Sequence, residues 1–192
     1  MTTKTTSMLA CCVATGLVAA IAPATAHADD AAPAAPAAPA ANLHPGIGGH
    51  VGIATPLVFL NSDKTQTIGD QFTLAFPIGI GFKLTDKAAI DFETIVGNPI
   101  HPRGGTGLTV DPGIVVDMGS FVLGGRLGFD VGAPTNFKLI PLVHKAIAQI
   151  GAGANWFVEG AFPVTFSFST DAQGNNKTTT ELDIVFHTGI GF

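Results

Sequence analysis

Residues 180–192 read Thr180-Glu181-Leu182-Asp183-Ile184-Val185-Phe186-His187-Thr188-Gly189-Ile190-Gly191-Phe192. Leu182, Ile184, Phe186, Ile190 and Phe192 fall in one phase with Thr180 and Thr188. The opposite phase carries Glu181, Asp183, Val185, His187, Gly189 and Gly191. Successive side chains of a β-strand point to opposite faces. The segment therefore predicts a strand with one greasy face and one charged or very small face, ending on an aromatic residue.

The same rule recurs upstream. Phe72, Leu74, Phe76, Ile78, Ile80, Phe82 and Leu84 alternate with Thr73, Ala75, Pro77, Gly79, Gly81 and Lys83. Alternation sustained this long marks a strand lying between two environments. Ile47, Val51 and Ile53 mark a first strand, and Ala88 to Val96 a third. Leu108 to Met118 mark a fourth, Phe121 to Val131 a fifth, and Trp156 to Phe168 a seventh. The sixth, Phe137 to Ala146, is almost continuously apolar and contains Pro141. A proline inside a strand predicts a bulge or irregular edge, and residues 142–150 also fit a helical turn. An even strand number favours the strand.

The alternating series ending at Phe192 resembles the closing strand of bacterial outer-membrane β-barrels, most nearly the eight-stranded outer-membrane protein A and X types. The resemblance implies an all-β, eight-stranded antiparallel up-and-down transmembrane barrel over residues 45–192, set in the outer membrane. It implies outer-membrane lipid as one partner. The barrel-assembly machinery is another, reading Phe186, Ile190 and Phe192 as an assembly signal.

The N-terminus fits export. Lys4 precedes a small and apolar run from Met8 to Ala22, closed by Ala26-His27-Ala28. This is the pattern of a secretory signal peptide, residues 1–28. Met8-Leu9-Ala10-Cys11 faintly resembles a lipoprotein box, but cleavage there leaves almost no apolar core in the signal. Cys11 and Cys12 both lie in the signal, so the mature chain is expected to carry no thiol chemistry. Residues 29–44 form an Ala/Pro-rich periplasmic linker without the means to build a core. The formal net charge is −5 with no basic cluster, which disfavours nucleic acid as a partner. The signal removes Lys4 and no acid, making the mature chain more negative still. After the signal no apolar run is long enough for a spanning helix.

Polar connections are expected at 61–70, 98–107, 132–136 and 170–178, and shorter turns at 85–87 and 119–120, with a longer one near 147–154. Outer-membrane barrels keep short turns in the periplasm and longer loops outside. That topology puts Phe82, Phe121, Trp156 and Phe192 at one rim and Phe59, Phe72, Phe129 and Phe168 at the other, as two aromatic girdles. The competing fold is a soluble lipocalin-like barrel with its apolar face inward. Gly48, Gly52, Gly79, Gly81, Gly113, Gly124, Gly128, Gly189 and Gly191 on the second face suit a crowded lumen better than a solvated exterior.

The inward face then holds a polar network: Lys83, Asp91, Glu93, Asp111, Asp117, Arg126, Glu159, Glu181, Asp183, His50 and His187, with Asp130 in the same phase. Buried charges must pair, hold water or become neutral. Arg126, between Gly124 and Gly128, is placed to cross the lumen toward Asp117, Asp111 and Glu93. The leading reading is a polar plug. An excess of acids leaves a narrow, weakly cation-preferring, porin-like pore as the alternative. A lesser reading pairs His50 with His187 at similar depth, near Glu159, as Zn²⁺ ligands. The reading adopted assigns no metal and no other cofactor.

Catalysis needs a nucleophile and base within reach. Enzymes occur in this class, lipid A-modifying acylases and esterases among them. Ser120, Ser167 and Ser169 form no obvious pair with a histidine, and His101 lies in a loop. Gly46-Ile47-Gly48-Gly49 precedes a strand and so is no dinucleotide loop. The function expected is non-enzymatic: envelope structure or surface contact, with no ligand motif to name an extracellular partner.

Overall fold

The computed structural model describes residues 46–132, 136–170 and 173–192. The expected signal (1–28) and linker (29–44) lie outside the described residues, as do parts of the connections 132–136 and 170–178.

The phase of the apolar residues sets the strands. In β3 (Phe72–Lys83), Ala75, Pro77 and Gly79 are buried while Phe76, Ile78 and Ile80 are exposed. The remaining elements are β1 (Ile47–Asn61), β2 (Thr65–Thr67), β4 (Ala88–His101), β5 (Gly107–Asp117), β6 (Val122–Asp130), β7 (Asn136–Gln149), β8 (Asn155–Ala161), β9 (Val164–Thr170) and β10 (Asn176–Gly191). No helix occurs among the described residues. β2 is a short extension paired with the end of β1, and β8 and β9 form one stave broken at Phe162 and Pro163. Eight antiparallel staves result, and β1 pairs with β10 to close the barrel.

Closure carries a stagger. One ladder row runs from Pro56 through Val185, Ala161, Leu142, Gly124, Val115, Ala89 and Lys83. It returns to the first strand at Gly46, whose carbonyl accepts from the Lys83 amide. Such a shift tilts every strand against the barrel axis.

The sixth stave is a strand throughout. Pro141 causes no break: it pairs with Gly125, and its carbonyl accepts from the Phe162 amide. The irregularity of β7 falls between Ala146 and Ala148 instead. Its apolar character on both faces has a cause. Ile140 and Leu142 turn inward and pack with Ala161, Val115 and Val185 as an apolar patch in an otherwise polar lumen.

Turns 84–87, 118–121 and 150–154 share one end with Phe192, here called the C-terminal rim. The opposite end, the loop rim, carries 62–71, 102–106, 131–132 and 173–175. The strands run further toward the loop rim than the sequence predicts. β4 continues to His101 beside Phe72, and Asn176 pairs with Thr170.

Phe82, Phe121, Trp156 and Phe192 all stand exposed at the C-terminal rim, and Phe129 and Phe168 at the loop rim. Phe72 is half-buried there. Phe59 departs from the expected girdle. A bulge between Pro56 and Val58 adds Leu57 to β1 and reverses the phase, turning Phe59 inward opposite Asp183 with 6 % of its surface exposed.

Candidate functional site

Three ladder rows bring charged side chains to the middle of the lumen. The first crosses β1, β3, β4 and β5 as His50, Gly79, Glu93 and Asp111. Asp91, Gly113 and Arg126 form the next, on β4, β5 and β6. His144, Glu159 and His187 form the third, on β7, β8 and β10. The glycines sit between partners because a side chain there would block them. A Cβ on Gly113 would lie 2.5 Å from Arg126 Cγ, so its absence lets the guanidinium pass over β5 to Asp91. Gly79 does the same for the His50 ring on its way to Glu93.

Arg126 is the hub and is almost fully buried. Its Nε and Nη2 both close on Asp91 Oδ2, at 2.7 and 2.6 Å. Nη1 donates to Glu93 Oε1 at 3.3 Å and to Glu159 Oε1 at 3.1 Å. Charge-assisted contacts of this kind are the strong ones, and a planar guanidinium fixes their directions.

Imidazoles surround the hub. His50 Nε2 lies 2.6 Å from Glu93 Oε2. His187 Nδ1 is 3.3 Å from Glu159 Oε1, and His144 Nδ1 is 3.5 Å from Glu159 Oε2. All three rings pack on Phe157, with centroids 5.8, 4.9 and 4.5 Å away for His50, His187 and His144. Phe157 is 1 % exposed and supplies an apolar plate that holds the imidazoles on edge or tilted.

The layer divides the lumen. A cavity of about 150 Å³ opens toward the C-terminal rim and one of about 320 Å³ toward the loop rim, and Arg126 and Glu159 line both. Asp111, Asp183 and His187 line the larger cavity. Neither carboxylate oxygen of Asp111 has a hydrogen-bond partner, nor do Asp183 Oδ1 and His187 Nε2. Near the loop rim Asp130 is fully engaged. It accepts from Thr109 Oγ1 at 2.6 Å, Asn136 Nδ2 at 2.8 Å and Lys138 Nζ at 2.7 Å.

Of the expected network, His50, Asp91, Glu93, Asp111, Arg126, Glu159 and His187 come together. The acceptors named for Arg126 need correcting. Asp91 and Glu159 replace Asp111 and Asp117, because Gly113 opens a path across β5 rather than along it. Gly124 and Gly128 instead face Leu142, Val115, Ile140 and Lys138. Asp117 stays at the C-terminal rim and accepts from the Gly119 amide at 2.6 Å. Lys83 pairs with Asp86 at 3.3 Å in the turn. Glu181 and Asp183 lie toward the loop rim, opposite Asn61 and Phe59.

His50 and His187 are not ladder neighbours. His50 pairs with Gly191 and His187 with Ala54, yet their rings approach to 5.9 Å. His144, Lys138 and Phe157 are functional neighbours that the sequence reading passed over. Parity from outward Trp156 and Val158 marks Phe157, whereas β7 carries no apolar contrast that marks Lys138 and His144.

Comparison of the chain with protein-family models, with curated proteins and with solved structures gives no match in any of the three.

Proposed function

We propose that this chain is a non-enzymatic integral outer-membrane barrel with a role in envelope structure or surface contact, its lumen plugged by the Arg126 layer. One observation carries the reading: the barrel is inside out. Phe76, Ile78, Phe92, Leu127 and Phe186 are exposed around the exterior, while Arg126, Asp91, Glu93, Asp111 and Glu159 are buried within it. A water-soluble protein rarely exposes so continuous an apolar band, whereas a lipid-facing barrel requires one.

Details of the exterior agree. The outward hydroxyl of Thr188 is satisfied twice, accepting from Trp156 Nε1 at 2.8 Å and donating to the Phe157 carbonyl at 2.7 Å. Polar groups facing hydrocarbon need such internal partners. Lys145 faces outward close to the rim bearing Trp156, where a long side chain reaches the interface. Recognition by assembly machinery through the last strand is part of the proposal, supported by the outward exposure of Phe186, Ile190 and Phe192.

The alternative, a narrow cation-preferring pore, draws on the two cavities and their acidic walls. Fractionation and planar-bilayer recording test both readings. The protein should resist carbonate extraction from membranes, migrate anomalously until heated in detergent, and give no steady conductance. Recovery as a native protein without detergent would overturn the membrane assignment. Regular cation-selective openings of the wild type would replace the plug with the pore.

A further inference from the structure

Five acidic side chains line the larger cavity, Glu93, Asp111, Asp130, Glu159 and Asp183, with Arg126, Lys138 and His187 as its basic groups. Around the hub four buried carboxylates, Asp91, Glu93, Asp111 and Glu159, meet the guanidinium of Arg126, and imidazoles stand beside Glu93 and Glu159 but none bonds Asp111. Asp111 is the extreme case, with 0 % exposure and no hydrogen bond to either oxygen. A buried carboxyl without a partner either stays neutral or binds a cation. Asp111 stands beside Glu93 in the ladder and lines the same cavity as Glu93, Glu159 and His187.

Those last three residues are already clustered. Glu93, Glu159 and His187 each bring one donor atom within 4.8 Å of the others, and all are buried. Donors about 2.0–2.2 Å from a tetrahedral ion lie about 3.3 Å apart, so small side-chain rotations close the set. An imidazole beside the carboxylates suits a borderline divalent ion such as Zn²⁺ or Co²⁺ better than a purely oxygen-seeking one. The cavity also offers a route, since Gly105, Gly107, Asp130 and Asp183 line it toward the loop rim. Its acidic wall draws cations inward.

The geometry points to a divalent transition-metal site in the loop-side cavity, formed by Glu93, Glu159 and His187 with Asp111 as the fourth donor. The site belongs to the lumen and does not depend on what surrounds the barrel. Arg126 competes for it, because Nη1 holds the oxygen atoms of Glu93 and Glu159 at 3.3 and 3.1 Å. Removing the guanidinium therefore strengthens metal binding, an effect opposite to its effect on stability.

The test uses the folded full chain in detergent, stripped with a chelator and titrated with Co²⁺ and Zn²⁺. Visible d–d absorption of Co²⁺ reports the coordination directly. One ion per chain is expected, with affinity falling at least about tenfold in His187→Ala and in Asp111→Asn, as loss of a ligand entails. His101→Ala, at the loop rim, should bind as wild type does. Zn²⁺ should raise the urea midpoint of Arg126→Ala more than that of the wild type, since stabilisation by a ligand grows with the logarithm of its affinity. Absence of stoichiometric Co²⁺ and Zn²⁺ binding to the folded wild type overturns the proposal, whatever the variants do. So does binding that His187→Ala and Asp111→Asn leave unchanged, or binding of Ca²⁺ alone.

Discussion

Gly79 lies directly beneath the imidazole of His50. A Cβ at position 79 would occupy the space of the ring itself, so the 2.6 Å contact between His50 Nε2 and Glu93 Oε2 exists only because residue 79 has no side chain. The hydrogen-bonding ladder places His50, Gly79 and Glu93 in one row, and the glycine is the gap through which the outer two meet.

Gly79→Ala should therefore displace His50 and leave the buried Glu93 short of a partner. The expected loss is about 1–3 kcal/mol. Gly81→Ala is the matched control two residues along the same face. Its Cβ would meet only the Ile90 carbonyl, at 3.8 Å, and its effect should stay within about 0.5 kcal/mol. Urea unfolding of both variants in vesicles gives the comparison, and equal losses would contradict the account.

Arg126→Ala should destabilise the barrel by about 3–5 kcal/mol, because Asp91, Glu93 and Glu159 lose their common counter-charge. Arg126→Lys should fall between the two. It keeps the charge but lacks the planar set of donors that reaches three carboxylates at once. Arg126→Ala should also join the cavities on either side of the layer and raise conductance in planar bilayers above that of the wild type. A stability loss of Arg126→Ala no greater than that of Arg126→Lys would show that charge distribution is not what holds the layer.

The turn before β3 should loosen in acid. Asp70 accepts from the Thr67 amide at 2.8 Å and the Thr67 hydroxyl at 3.0 Å, and these bonds hold its carboxyl below the usual carboxylate range. A carboxyl lowered in the folded state contributes stability above its unfolded pKa and loses it as pH falls through the folded one. Amide exchange at Thr67, corrected for intrinsic pH dependence, should lose protection toward the acid end, and Asp70→Asn should abolish that dependence.

Much of the barrel was legible because β3 and β10 alternate large with small or charged residues along their whole length. The reading failed where that contrast disappears. In β7 the inward Ile140 and Leu142 are as apolar as the outward Leu139 and Val143, so Lys138 and His144 carried no visible phase. Phe157, between outward Trp156 and Val158, is the apolar member of an otherwise charged layer. Phe59 changed sides through a bulge, which one extra residue creates and no composition marks. Parity told which charged residues face inward but not which meet at one depth, since Lys83, Asp117, Glu181 and Asp183 share the phase and lie toward the rims. The partners of Arg126 did not follow from it either, because they depend on which neighbouring strand carries a glycine at the crossing point.

The central claim is that the apolar exterior faces lipid, and the single tryptophan offers a direct probe. Trp156 is exposed on the outward face at the C-terminal rim. In vesicles of lipid brominated at defined depths, its fluorescence should be quenched most by bromines near the headgroup, where tryptophan belts sit. A tryptophan moved to the middle of β3, in Phe76→Trp combined with Trp156→Phe, should be quenched most by bromines deep in the chains. Quenching of both by aqueous iodide, with no response to bromine at any depth, would contradict the account.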